Sequence, residues 1–334
     1  MRKLTVLTLF LIIALFLLSG CSPSASTPVS DKLTVVTTVS PITNIIYNIG
    51  GDHIALTGII PEGTDSHTFE PAPSTAQLFA QADVIFVNGL HLEEPTQKLA
   101  AANLKPGAEI IILGEQTLTP DQYIYDFSFP KSAGNPNPHL WMNPINALRY
   151  AEIVRDTLVR RDPSNTAYYN KNFDAFKARI MALDKAITDS VNSIPVNNRK
   201  LLTYHDSFAY FAPRYHMTVI GAIQPVDFAE PSPKEIANLI TQIKQENVPA
   251  IFGSEVFPSP ILAQIAKETG AKYEDSLRDD DLPGVVGDAN HSYLGLMVED
   301  VRTITKDLGG NTASLDNFDT SNIPGLDTLV NQKQ

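Results

Sequence analysis

The sequence predicts an α/β protein of two lobes. Each lobe is a mostly parallel sheet covered by helices, and one long rigid α-helix joins them. Two observations predict this. Short β-branched strands alternate with helical segments on both sides of residue 180, the pattern of helix-covered parallel sheets. Between the two halves, Tyr169, Phe173, Phe176, Ile180, Leu183, Ile187, Val191 and Ile194 recur at spacings of 4, 3, 4, 3, 4, 4 and 3. That is one apolar stripe on a single helix, running from near Pro163 to Pro195. About 30 residues at roughly 1.5 Å each reach about 45 Å, long enough to act as a stiff connector.

In the first half, Leu33–Val39 is β-branched and reads as a buried strand, after which Pro41 opens a helix that stops at Gly50-Gly51. Ile54–Ile60 is the next strand, and Ser74 is placed to N-cap a helix through Ala82. Val84–Asn88 and Glu109–Leu113 are strands around a short helix near Pro95–Ala102. An irregular, Pro-rich stretch follows from about 115 to 138, and Pro144 starts a helix to about Arg160. The second half repeats the plan. Its strands are Lys200–Tyr204, Thr218–Ile223, Ala250–Gly253 and Lys272–Glu274. Its helices are Phe208–Tyr215, one ending near Glu246, Pro260–Thr269 and Ser292–Leu308. The expected divisions are a signal segment at 1–20, a tether at 21–32, the N-terminal lobe at 33–162, the linking helix at 163–195 and the C-terminal lobe at 196–334.

The N-terminus carries an export address. Arg2 and Lys3 precede an uncharged apolar run, Leu4–Leu18, with the dimensions of a secretory signal. It ends in Leu18-Ser19-Gly20-Cys21, which resembles the bacterial lipobox, and Cys21 is the one cysteine of the 334 residues. Cleavage before Cys21 would leave it as the lipid-bearing residue, anchoring the chain to the outer side of the cell membrane. Residues 22–31, SPSASTPVSD, suit a flexible tether. Such a mature chain has no free thiol, which excludes thiolate metal chemistry and a disulfide framework. The formal charge of −12 and the lack of a Lys/Arg cluster argue against a nucleic-acid partner.

Open α/β sheets bind ligands beyond the carboxyl ends of their strands. His67 follows strand 54–60 and His139 lies in the loop after strand 109–113. His205 ends strand 200–204, and Asp275 ends strand 272–274. Two facing sheets would bring three imidazoles and a carboxylate together, a donor set for a borderline-soft ion such as Zn²⁺. Glu230 is another carboxylate at that cleft end, and Glu255 an outside candidate. His53, His91, His216 and His291 read as structural residues: before a strand, in a turn, after a helix and at a helix start.

The words around these residues carry a resemblance. Gly50-Gly51-Asp52-His53 with Asp65-Ser66-His67-Thr68-Phe69-Glu70-Pro71, then Asn137-Pro138-His139-Leu140-Trp141-Met142-Asn143-Pro144, then Tyr204-His205-Asp206-Ser207-Phe208-Ala209-Tyr210-Phe211, and Asp275-Ser276-Leu277 with Tyr293 downstream, stand in order along the chain. Glu230-Pro231-Ser232-Pro233-Lys234-Glu235 is a further marker. Together they resemble the zinc/manganese substrate-binding lipoprotein family of ABC transporters, over essentially Leu33–Leu308. The resemblance implies a metal held between two lobes by His67, His139, His205 and Asp275, with no catalytic residues. Histidine at the third position inclines the family toward zinc, with Mn²⁺ or Fe²⁺ as alternatives. It also implies delivery to an ABC permease, by a chain expected to be a monomer. Three departures stand out: Ser66 replaces the usual Pro before the first ligand, Asn137 and Asn143 replace Asp around the second, and residues 115–138 hold no His-rich loop. The neutral amides would weaken carboxylate–imidazole polarisation at the second ligand.

The expected cycle is capture of the ion by neutral imidazoles, with affinity falling below about pH 6 as protons compete. Three rivals remain open on sequence: a surface zinc-dependent hydrolase, which needs an open coordination position; an adhesin or interaction lipoprotein; and a binder of chelated metal, which has no use for three convergent imidazoles.

Overall fold

The structure is a computed structural model that describes residues 32–223, 231–254 and 259–324. Cys21, Glu230 and Glu255 lie outside the described residues.

The first half contains β1 (Leu33–Thr37), α1 (Ser40–Gly50), β2 (Ile54–Gly58), α2 (Thr75–Gln81), β3 (Val84–Val87), α3 (Glu94–Asn103), β4 (Glu109–Ile112), α4 (Leu113–Thr117) and α5 (Pro144–Arg161). Next comes α6 (Thr166–Asn192), 27 residues long. The second half contains β5 (Lys200–Thr203), α7 (Phe211–Arg214), β6 (Thr218–Ala222), α8 (Pro233–Glu246), β7 (Ala250–Ser254), α9 (Pro260–Thr269), β8 (Lys272–Leu277) and α10 (Tyr293–Asp307). The strands form two four-stranded sheets, in the orders β2-β1-β3-β4 and β6-β5-β7-β8. Every pairing is parallel. The two orders are the same topology used twice, so the carboxyl ends of β1 and β5 hold equivalent places in their sheets.

Strand alternation assigns the faces. In β3, Val84 and Phe86 enter the large central core, while Ile85 and Val87 turn to a smaller cluster under α2 and α3 with Phe79 and Ala100. In the second sheet, Leu201 and Phe252 join the central core, and Leu202 and Ile251 pack on Ile243, Leu262 and Ile265 of α8 and α9. Both sheets are therefore covered on both faces, which is why their strands read as continuous apolar runs rather than alternating ones.

The long helix behaves as its spacing predicted. Tyr169, Phe176, Ile180, Leu183, Ile187 and Val191 are fully buried along one face of α6. They enter the same core as residues of α1, α5 and α10, so a single cluster runs from β1 to Leu315. The described residues from Lys32 onward form one compact unit. Among the described residues no helix is long and apolar enough to cross a membrane.

Local chemistry explains several boundaries. Asn143 caps α5, its side-chain oxygen accepting from Ile145 N. Ser232 and Glu235 form a reciprocal capping box on α8. Ser74 does not cap α2; its backbone is already helical and its side chain makes no cap bond. Gly295, in the first turn of α10, allows a close approach: a Cβ there would sit 1.9 Å from the Asn290 carbonyl oxygen.

Two departures from the sequence expectation bear on function. The helix expected over 208–215 shrinks to Phe211–Arg214, because Asp206 turns the chain first by accepting Phe208 N. Strand β8 does not stop at Glu274. It runs on to Leu277, with an irregular register against β7 between Phe252 and Ser254.

Candidate metal centre

Each functional side chain sits just past a strand or at the end of a loop that a strand supports. His67 lies in the loop after β2, where Asp65 Oδ1 accepts His67 N at 2.9 Å and Asp65 Oδ2 accepts the Thr68 hydroxyl at 2.9 Å. This local turn presents the imidazole without helix or sheet around it. His139 ends the long irregular segment and opens a short 3₁₀ turn, Leu140–Met142. His205 follows β5 by two residues.

The three imidazoles converge. His67 Nε2 stands 3.1 Å from His139 Nε2, and His205 Nε2 stands 3.3 Å from the same atom. One ligand atom from each lies within 4.8 Å of the others. Two nitrogens bound to one tetrahedral ion at about 2.0–2.1 Å are themselves about 3.3 Å apart, so these separations are those of a ligand set. His139 and His205 are buried, and His67 is half-buried. A cavity of about 100 Å³, lined by His67, His91, Ser128, Phe129, Asn135 and Pro138 among others, adjoins the His67 side.

Asp275 is not with them. It is exposed on β8, and the carboxylate that faces the imidazoles is that of Asp279. Asp279 Oδ2 lies 2.7 Å from His205 Nε2 and 3.9 Å from His139 Nε2. The rule of looking past the strand end holds; the strand is three residues longer than Lys272–Glu274. Leu277, a buried core residue, is the signal that the strand continues, and it moves the cleft-facing carboxylate to the Asp279–Asp281 run. Tyr293 remains nearby, its hydroxyl donating to Trp141 O at 2.7 Å. Trp141 Nε1 in turn donates to Asp279 O at 2.8 Å and ties the two loops together.

The four remaining histidines lie outside this cluster. His53 stacks on Tyr168 at 3.8 Å and meets Asn165 Oδ1. His91 pairs with Glu94. His216 occupies a left-handed turn at φ 55°. His291 meets Pro283 O at 3.2 Å and Glu62 at 3.5 Å.

Asn137 sets the tautomer of His139. Its Nδ2 donates to Asp126 Oδ2 at 2.7 Å and to Asp206 O, so its Oδ1 is the acceptor for His139 Nδ1–H at 3.0 Å. That leaves the lone pair of His139 Nε2 facing the centre. The carboxylate missing from position 137 is thus supplied one step back by Asp126. Asn143, expected to share this role, is instead the α5 cap.

The electrostatics divide the imidazoles into two kinds. Burial, then the neighbouring charge of His205, presses His67 down to about 3 against the pull of Asp279. Burial likewise pushes His139 well below the ordinary imidazole value, followed by His67 and His205. Burial pulls His205 the same way, but the Asp279 carboxylate and its hydrogen bond prevail and raise it to about 9. Burial opposes the Asp279 charge, yet His205 holds that carboxyl well below the usual range. At neutral pH the metal-free centre is therefore two neutral imidazoles beside one imidazolium–carboxylate pair.

The chain has relatives among known proteins. Residues 35–307 match the family described as ZnuA, zinc-uptake complex component A, periplasmic. The chain is 31% identical over 305 residues to the iron-binding protein YfeA of Yersinia pestis, covering 90% of this chain and 95% of that one. It is 30% identical to the metal ABC transporter substrate-binding lipoprotein FimA of Streptococcus parasanguinis, covering 89% and 96%. Among solved structures, the periplasmic zinc-binding protein TroA of Treponema pallidum superposes with a TM-score of 0.75 at 25% identity, over 83% of this chain and 99% of that one. With its doubled parallel sheets, its long helix and three histidines meeting at one point, the chain belongs to the zinc-uptake component A family, the metal-binding substrate-binding proteins of ABC importers.

Proposed function

We propose that the protein captures a divalent transition metal, zinc(II), between His67, His139, His205 and Asp279 and delivers it to an ABC import permease. The observation that carries the reading is the convergence of three Nε2 atoms at tetrahedral spacing. Without an ion the Nε2 atoms can share protons with one another at these distances; an ion seated between them would be met by all three lone pairs at once. Three nitrogens and one carboxylate oxygen favour zinc; manganese prefers more oxygen. Relatives of comparable similarity are named for other metals, iron for YfeA and manganese for PsaA of Streptococcus pneumoniae, so metal identity rests on the donor set. Four protein ligands suit capture rather than hydrolysis, which keeps a position open for water.

Lipidation at Cys21 would hold the protein outside the cell as a monomer near its permease, a reading supported by the lipoprotein names of FimA and PsaA. A stiff α6 with a continuous core favours a small displacement of the two sheets on release over a wide hinge.

Calorimetry on chelator-treated protein tests the proposal. One zinc ion per chain is expected with sub-micromolar affinity. Binding displaces the His205 proton, so close to one proton should be released per ion at pH 7, read from titrations in buffers of different ionisation enthalpy. The affinity should rise about tenfold per pH unit up to about pH 9, rather than levelling off above pH 6 as ordinary imidazoles would. Binding of neither Zn²⁺ nor Mn²⁺ tighter than micromolar would end the proposal. In Asn137→Ala, which frees the His139 ring and removes its link to Asp126, zinc affinity should fall roughly 10–100-fold.

A further inference from the structure

The loop that brings Asp279 to the centre also grips the loop that brings His67. Asp280 Oδ2 accepts the backbone N–H of Ser66 at 3.0 Å, and Asp281 Oδ2 accepts that of Gly63 at 2.6 Å. These bonds join residues 214 and 218 positions apart, one from each half of the chain. A third contact, His291 Nε2 to Glu62 Oε1 at 3.5 Å, links the same two loops. Asp280 and Asp281 are buried, so the bonds are shielded from competing water. The His67 loop has no helix or strand of its own from 59 to 74. Two of its backbone donors, Gly63 N–H and Ser66 N–H, find partners on the other half of the molecule, while His67 N–H is met within the loop by Asp65.

Granted the capture function above, we propose that Asp280 and Asp281 are positioning residues that form a clasp. They lock the His67 loop over the bound ion and bind its release to the movement of Asp279. The three carboxylates are consecutive, so the chain cannot withdraw Asp279 from the metal without pulling Asp280 and Asp281 from the loop. Ser66 matters here through its backbone, since a proline at this place would have no N–H to give.

The test is stopped-flow zinc release into a chelator, with association measured separately. The Asp280→Ala/Asp281→Ala double variant should release zinc about tenfold faster or more. Its association rate should be unchanged and it should still bind one ion per chain. Asp280→Asn, whose amide oxygen can still accept the Ser66 N–H, should release at close to the wild-type rate. Ser66→Pro should resemble Asp280→Ala, and Asp275→Ala should not differ from wild type. Unchanged release in the double variant overturns the clasp, as does an Asp280→Asn variant as fast as Asp280→Ala. Loss of binding stoichiometry in all the clasp variants, with no change of rate in the remainder, also overturns it by reducing the carboxylates to folding elements. A wild-type protein that takes up no zinc sinks the capture function itself. A tightly binding wild type with unaltered variant rates sinks only the clasp.

Discussion

Asp279→Ala is expected to weaken zinc binding by two to three orders of magnitude, while Asp275→Ala leaves it unaltered. Among the described residues Asp279 is the carboxylate beside the imidazoles, 2.7 Å from His205 Nε2 and nearly inaccessible. Removing one member of a buried charge pair costs on the order of 3–5 kcal/mol, because its partner is left charged without compensation or must lose its proton. Here the partner loses its proton. Without Asp279 the burial that pulls His205 down is the largest single influence left, opposed by the weaker pull of Asp280 and Asp65, so its imidazole should be far less protonated at pH 7. The variant should then release far less than one proton per ion bound, and its affinity should depend less on pH between 7 and 9. Titration calorimetry reads both quantities. Equal affinities for Asp279→Ala and wild type would refute the assignment of the fourth ligand.

Removing the metal should cost the folded protein several kcal/mol. An ion present at about a thousand times its dissociation constant stabilises the state that binds it by about 4 kcal/mol. For a chain of this size that corresponds to a thermal midpoint shift on the order of 10 °C, measured by calorimetric scans with zinc and with chelator. The effect arises because the four ligands come from four separate loops, which the ion ties together. The metal-free protein should also show its own pH profile. His67 has a folded pKa of about 3, below the unfolded value near 6.5. Its contribution is present above about pH 6.5 and is lost as pH falls toward 3. His205 has a folded pKa of about 9, above its unfolded value. Its contribution is complete below about pH 6.5 and is lost as pH rises through 9. Taken by themselves these two groups give an optimum near pH 6.5, onto which the carboxyls raised by burial, Glu93, Asp206 and Asp280, add a further loss as pH rises. Zinc removes the His205 part of the alkaline loss, since it takes the place of the proton. A metal-free form whose midpoint is flat from pH 5 to 9 would contradict the pairing of His205 with Asp279.

Much of the molecule was legible in the chain because periodicity is a local property. The α6 stripe, the β-branched strands and the prolines that open α1, α5, α8 and α9 depend on neighbours within a few residues, and each reappears in the fold. The three histidines could be chosen because strand ends were readable and the words around them were distinctive. The end of β8 lies three residues beyond the expected Glu274 because a strand end is less visible in sequence than a strand. Lys-Tyr-Glu-Asp-Ser-Leu mixes charged and apolar residues on an outer strand, and its length was decided by pairing with β7 and by the burial of Leu277.

By itself the sequence determined the two parallel sheets, the connecting helix, the signal and lipobox words, and the presence of imidazoles where a metal would be wanted. Tertiary structure alone decided which carboxylate reaches them, that Asp126 works through Asn137, that His205 carries the proton, and that Asp280 and Asp281 hold a loop from the opposite half. The physical reason is distance along the chain. Helix and strand signals arise from residues a few positions apart, whereas these contacts join residues from 11 to 218 positions apart. Their burial and charge exist only once the two sheets have packed against a common core.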